Sequence, residues 1–129
     1  MDRKCIVPEN GPPAVGPYSP AVVANGFVFV SGQIPQDPSS GDLVEESFEA
    51  QCVRVFENLK LVLEAAGASL DSVVKVTIYL TDMGRFAEAN AIYERYFGTS
   101  KPARACIEAS RLPKNVPIEA DAIAVIDDT

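Results

Sequence analysis

Between Ser47 and Leu80 the apolar residues change their spacing, and that change restricts the chain to folds in which a helix packs on a sheet. In "SFEAQCVRVFENLKLVLEAAG", residues Phe48, Cys52, Val55, Phe56, Leu59, Val62, Leu63 and Ala66 recur at the three- and four-residue steps of one broad helical face. Ser47 supplies an N-cap and Gly67 a stop. "VVKVTIYL", Val73 to Leu80, follows as a β-branched run of strand length.

The rest of the chain extends this pattern. "AVVANGFVFVSGQIP" reads as a hairpin, because Asn25-Gly26 suits a two-residue turn in which both positions need positive φ. "TDMGRFAEANAIYERYFG" predicts a second helix, with Thr81 or Asp82 as cap, Gly98 past its end and an apolar stripe of Phe86, Tyr93 and Phe97. "ARACIEA" and "IEADAIAVI" predict two further strands, joined by "SRLPKNVP", whose prolines break any continuing element. The predicted order is β-β-α-β-α-β-β, an α+β fold with two helices on one face of a four- or five-stranded sheet. With no break in composition, residues 1–129 read as a single domain. The uncovered sheet face calls for a partner, so an oligomer is expected.

Charge and missing residue types narrow the chemistry. The 18 acids against 11 bases give a net charge of −7, with no basic cluster, which counts against nucleic acid as a partner. A small carboxylate remains compatible, since one well-placed arginine holds it. No histidine occurs, so a Ser-His or Cys-His nucleophile within the chain is excluded and no close-spaced metal-ligand set is read. Cys5, Cys52 and Cys106 show no short-range pairing, and reduced thiols in a cytoplasmic chain are expected. The N-terminal run lacks the apolar core of a secretory signal, and no stretch approaches a membrane span, so no membrane is expected.

The charges inside the last two predicted strands raise a question. Strand alternation puts Arg104, Cys106 and Glu108 on one side, and Glu119, Asp121, Ile123 and Val125 share a side of the next strand. If these strands pair, Arg104 lies near an acid and forms an internal or intersubunit salt bridge; otherwise it awaits an external anion while Glu119 handles a water. Asn90, on the stripe of Phe86, Tyr93 and Phe97, is either a helix-packing amide or a ligand contact. Tyr18 in "GPYSP" reads as a loop anchor or a site residue. Ser31-Gly32 reads as a bulge or a place of close backbone approach. Cys106 beside Arg104 is a packing thiol or one of lowered pKa.

Taken together, the ordered segments "GPYSP", "VSGQIP", "NLKLVLEAAGASLDSVVKVTIYLTDM", "FAEANAIYERYF" and "PARACIEASRLPKNVPIEADAIAV" resemble the Rid family, YjgF-type proteins also labelled L-PSP endoribonucleases. The resemblance implies a mixed β-sheet with both helices on one face, a chorismate-mutase-like fold, assembled as a homotrimer with a pocket in each intersubunit cleft. It places the family's pocket residues at Tyr18, Ser31, Gly32, Asn90, Arg104, Cys106 and Glu119. Arg104 then clamps a substrate carboxylate and Glu119 holds the reacting water. Three positions depart from the common pattern: Pro20 in "YSP", Lys101 in "KPAR" and Asp121 in "EADAIA". Lys101 replaces an apolar residue near the pocket mouth.

The implied activity is hydrolytic deamination of reactive enamines and imines, such as 2-aminoacrylate, 2-iminopropanoate and 2-iminobutanoate, to 2-oxo acids and ammonia. The partner would be a small 2-imino or 2-oxo carboxylate, and neither metal nor organic cofactor is needed. Two other functions stay open: an endoribonuclease of the L-PSP type, and a non-enzymatic trimer that binds small carboxylates.

Overall fold

Asn25 and Gly26 adopt φ of 54° and 81° and close a two-residue turn, as their sequence requires. They join β2 (Ala21–Ala24) to β3 (Phe27–Gln33) in antiparallel register. The computed structural model describes residues 2–11 and 16–127, so part of the proline-rich N-terminal run lies outside the described residues. The remaining elements are β1 (Arg3–Ile6), α1 (Phe48–Ala65), β4 (Val73–Leu80), α2 (Phe86–Phe97), β5 (Ala103–Glu108) and β6 (Ile118–Val125).

α1 begins and ends where local chemistry supports it, whereas α2 has no side-chain cap at its N-cap residue, Arg85. The Ser47 hydroxyl accepts from the Ala50 N–H at 3.0 Å, satisfying one of the orphan donors of the first turn of α1. Gly67, at φ 86°, supplies the left-handed residue after the helix. Asp82 caps a short 3₁₀ turn (Met83–Arg85) that leads into α2, accepting from the Gly84 N–H at 2.8 Å.

The six strands run β1-β2-β3-β6-β4-β5, with every neighbouring pair antiparallel except β4 and β5. That parallel pair requires a crossover, which α2 provides. β1 is a strand beyond the predicted order. Its four residues, Arg-Lys-Cys-Ile, sit at a sheet edge with three of them exposed, so no alternation marked it.

One sheet face carries the core. Val28 and Val30 of β3, Val76, Ile78 and Leu80 of β4, and Ile118, Ala120, Ala122 and Ala124 of β6 are buried there with the apolar face of α1. The alanines of the central strand β6 leave room for α1 to approach closely. Phe56, fully buried, joins the helices through Tyr93, Tyr96 and Phe97, with ring centroids 5.8, 5.5 and 6.3 Å away. Asn58 is buried and satisfied: its amide donates to the carbonyls of Ile34 and Gln36 at 3.2 and 2.9 Å and accepts from Arg54 at 3.0 Å.

The other sheet face is open. Phe27, Phe29, Ile107 and Val125 are between 36% and 47% exposed there. Lys75, Thr77, Tyr79, Glu119 and Asp121 lie among them. Among the described residues no helix is long and apolar enough to cross a membrane.

Candidate functional site

Strand pairing decides the surroundings of Arg104. β5 runs beside β4, with Arg104 opposite Val76, Cys106 opposite Ile78 and Glu108 opposite Leu80. These β4 residues face the helices, so Arg104 does too, at the sheet edge beside α2. Its Nη1 donates to Asn90 Oδ1 at 2.6 Å. Its guanidinium carbon lies 4.7 Å from the Tyr93 ring centroid and 5.4 Å from that of Phe86. An amide oxygen and two π faces hold the cation in place without neutralising it. Asn90 thus is satisfied, as a packing amide would be, and its partner is the arginine.

Of the two alternatives for Arg104, pairing with an acid of the same chain is absent among the described residues. β6 lies between β3 and β4 and never touches β5 in the hydrogen-bonded order. Among the described residues the only ion pair is Arg95 with Glu49, at 3.3 Å. Beside Arg104 opens a cavity of about 420 Å³, lined by Asn90, Tyr93, Glu94, Phe97, Lys101 and Arg104 among others.

Glu119 occupies different surroundings. In register with Tyr79, it projects from the open face, two residues before Asp121. The sheet bulges between Val30 and Gln33, which brings Gly32 beneath its carboxylate. A Cβ at Gly32 would overlap the Glu119 carboxylate oxygen, so glycine here lets that carboxylate sit against the backbone, and a larger residue would displace it. The bulge and the close approach expected at Ser31-Gly32 are both present, with a side chain of the chain itself as the approaching group. Ser31 Oγ donates to the Ser19 carbonyl at 2.6 Å, and its N–H donates to Pro20 at 2.9 Å. These bonds tie the loop carrying Tyr18, itself 49% exposed, to the same region.

Burial pushes the Glu119 carboxyl above its ordinary pKa, and the neighbouring Asp121 adds to the rise. Asp121 is held in place, accepting from the Tyr79 hydroxyl at 3.0 Å. The Cys106 thiol is also raised: burial outweighs the opposing pull of Arg104. Of the two readings of Cys106 this favours the packing thiol, because half-burial at the sheet edge costs the thiolate more than one nearby cation returns. Among the described residues no group of three His, Cys, Asp or Glu side chains could hold a metal ion.

The site residues that the resemblance implies therefore fall into two clusters within one chain. Asn90, Arg104 and Cys106 lie on the helix side of the edge strand. Tyr18, Ser31, Gly32 and Glu119 lie around the bulge, with Glu119 on the open face. Sequence reasoning missed Phe86 and Tyr93 as the floor under Arg104. Their signal was present: Phe86, Asn90 and Tyr93 stand four and three residues apart, on one helical face.

These features define an α+β protein with two helices on one face of a mixed sheet and, at its edge, an arginine in no ion pair among the described residues. The chain belongs to the family described as Endoribonuclease L-PSP, whose model matches residues 8–126. It is 52% identical over 124 residues to a RutC family protein of Pyrococcus abyssi, covering 96% of this chain and 98% of that one. It is 46% identical over 125 residues to the 2-iminobutanoate/2-iminopropanoate deaminase of Salmonella typhimurium, covering 95% and 97%. Among solved structures, E. coli TdcF with bound serine superposes with a TM-score of 0.89 at 37% identity, covering 96% of this chain and 99% of that chain. The family is the one to which the sequence motifs pointed.

Proposed function

We propose that the protein hydrolyses reactive 2-imino acids and their enamine tautomers, including 2-aminoacrylate, 2-iminopropanoate and 2-iminobutanoate, to 2-oxo acids and ammonia. The observation that carries this reading is the state of Arg104, oriented by Asn90 and Tyr93 yet in no ion pair among the described residues. A guanidinium held this way presents its remaining N–H groups for parallel hydrogen bonds to a carboxylate. The deaminase name of a relative with 46% identity and the serine bound by the TdcF neighbour support a small carboxylate as the ligand.

Glu119 supplies the proton chemistry. A protonated imine carbon is already electrophilic, so water adds to it with modest assistance. As the new C–O bond forms, the Glu119 carboxylate takes a proton from the water. As the C–N bond breaks, that proton passes to the departing nitrogen while the hydroxyl proton of the tetrahedral intermediate returns to the Glu119 carboxylate, giving ammonia and the 2-oxo acid. Glu119 then releases this last proton to ammonia or water. A pKa raised by burial makes the carboxylate a stronger base for the first step. The Ser31 hydroxyl, Gly32, Tyr18 and the backbone at Cys106 complete the pocket in this reading.

Arg104 and Glu119 lie on opposite sheet faces of one chain, so the complete site needs Glu119 from a neighbouring copy. The apolar open face bearing Phe27, Phe29, Ile107 and Val125 is suited to that contact, and the family resemblance implies three copies. A net charge of −7 argues against RNA as the substrate despite the family description. The deciding experiment is ammonia release from imines generated by an amino-acid oxidase, with single-stranded RNA cleavage assayed in parallel. Release at no more than the spontaneous rate, at high protein concentration, would overturn the proposal.

A further inference from the structure

The cavity beside Arg104 holds a second cation that the proposed chemistry does not use. Lys101 has a left-handed backbone, at φ 51°, which is uncommon for any residue other than glycine. Its N–H donates to the Phe97 carbonyl at 2.9 Å, tying it to the end of α2 three residues before Arg104. It lines the same cavity as Arg104, Asn90 and Tyr93, and among the described residues neither cation is in an ion pair. Among the described residues Glu94 is the only acid on that wall, so their lining carries two positive charges against one negative. A volume of about 420 Å³ falls within the range of ordinary small-molecule sites.

We propose that Lys101 is a specificity-determining residue that binds a second carboxylate, so that the site favours four- and five-carbon 2-imino acids with an acidic side chain. This deepens the reading of Arg104 as the clamp on the 1-carboxylate and rests on it. The two cations suit the two tasks. The planar fork of Arg104 matches the invariant carboxylate, whereas the ammonium of Lys101 is a point charge on a flexible stem that accommodates side chains of different length. An aliphatic side chain in the same place would strip water from the ammonium and offer nothing in return. Glu94 opposes a second anion and competes for Lys101, which sets an upper limit on the preference.

The test uses the stable product analogues 2-oxoglutarate and 2-oxobutanoate, with affinities measured by calorimetry on the wild-type protein, Lys101→Gln and Glu94→Gln. Glutamine places no greater demand on the left-handed backbone than lysine, and circular dichroism confirms the fold of each variant. The wild type should bind 2-oxoglutarate more tightly. Lys101→Gln should reduce the ratio of the two affinities roughly three- to tenfold, and Glu94→Gln should increase it. The same shifts should appear in kcat/KM for the imines of glutamate and leucine. A ratio that stays within about twofold in Lys101→Gln, or equal loss for both ligands, overturns the assignment. If the wild type hydrolyses no imine but the binding ratio still collapses in Lys101→Gln, the second-carboxylate site stands and the proposed activity falls.

Discussion

Arg104 and Glu119 project from opposite faces of one sheet, Arg104 opposite Val76 on the helix side and Glu119 opposite Tyr79 on the open side. Neither is in a salt bridge among the described residues. With no ion pair to lose, the exposed arginine contributes to stability only through its hydrogen bond to Asn90 and its contacts with Tyr93 and Phe86. Arg104→Ala should leave the melting temperature nearly unchanged, while imine hydrolysis falls by about a hundredfold or more. Arg104→Lys should recover little, because an ammonium cannot reproduce the bidentate fork. A melting temperature that drops sharply, with activity retained at low temperature, would show a structural arginine instead.

The same separation makes a thermodynamic prediction. Arg104→Ala and Asp121→Asn share no partner, since Asp121 accepts from Tyr79 and Arg104 donates to Asn90. Their effects on unfolding free energy should add to within about 0.5 kcal/mol in the double variant. A larger coupling in denaturant titrations would mean that the two charges communicate.

Glu119 governs a pH dependence whose sign follows from its surroundings. Burial and Asp121 both disfavour the carboxylate, so the folded-state pKa lies above the ordinary 4.5. From 4.5 up to the raised value, the folded chain keeps a proton that the unfolded chain has released. Stability is therefore lost as pH rises through that window. Glu119→Gln removes this term, so the gap in melting temperature between variant and wild type should widen in the variant's favour as pH rises. Asp121→Asn should also move the acidic limb of the kcat/KM profile to lower pH, since one cause of the raised pKa is gone. A limb that stays in place or moves upward contradicts this account.

Cys106 should be dispensable for the chemistry. Its thiol is pushed up by burial, and no histidine exists in the chain to activate it. Cys106→Ala should retain activity within roughly tenfold of wild type. Mass spectrometry detecting a covalent adduct on this residue during turnover would refute the reading.

Assembly should be a condition of activity. Sedimentation equilibrium is expected to give three times the 13.8 kDa chain mass. A charge at an apolar position of the open face, as in Phe29→Glu, should yield a monomer that no longer hydrolyses imines. A monomeric variant with full activity would show that one chain carries the whole site.

The sequence by itself determined each local element with a strong pattern. The Asn25-Gly26 turn, the Ser47 cap, the stripe from Phe48 to Leu63 and the run from Val73 to Leu80 are all local matters of φ preference, side-chain hydrogen bonding and hydrophobic period. Alternation also placed Arg104 with Cys106 and Glu119 with Asp121 correctly on shared strand sides. β1 escaped because an exposed edge strand of four residues needs no apolar alternation. Only the tertiary structure decided which strands are neighbours. β5 and β6 follow one another in the chain, yet β5 pairs with β4 while β6 inserts between β3 and β4. That choice depends on how α1 and α2 bury their faces against the whole sheet, a sum of long-range contacts that no local pattern encodes. It separated Arg104 and Glu119 onto opposite faces, the arginine resting on Tyr93 and the glutamate over Gly32, where strand adjacency in sequence had left an Arg104–acid pair open.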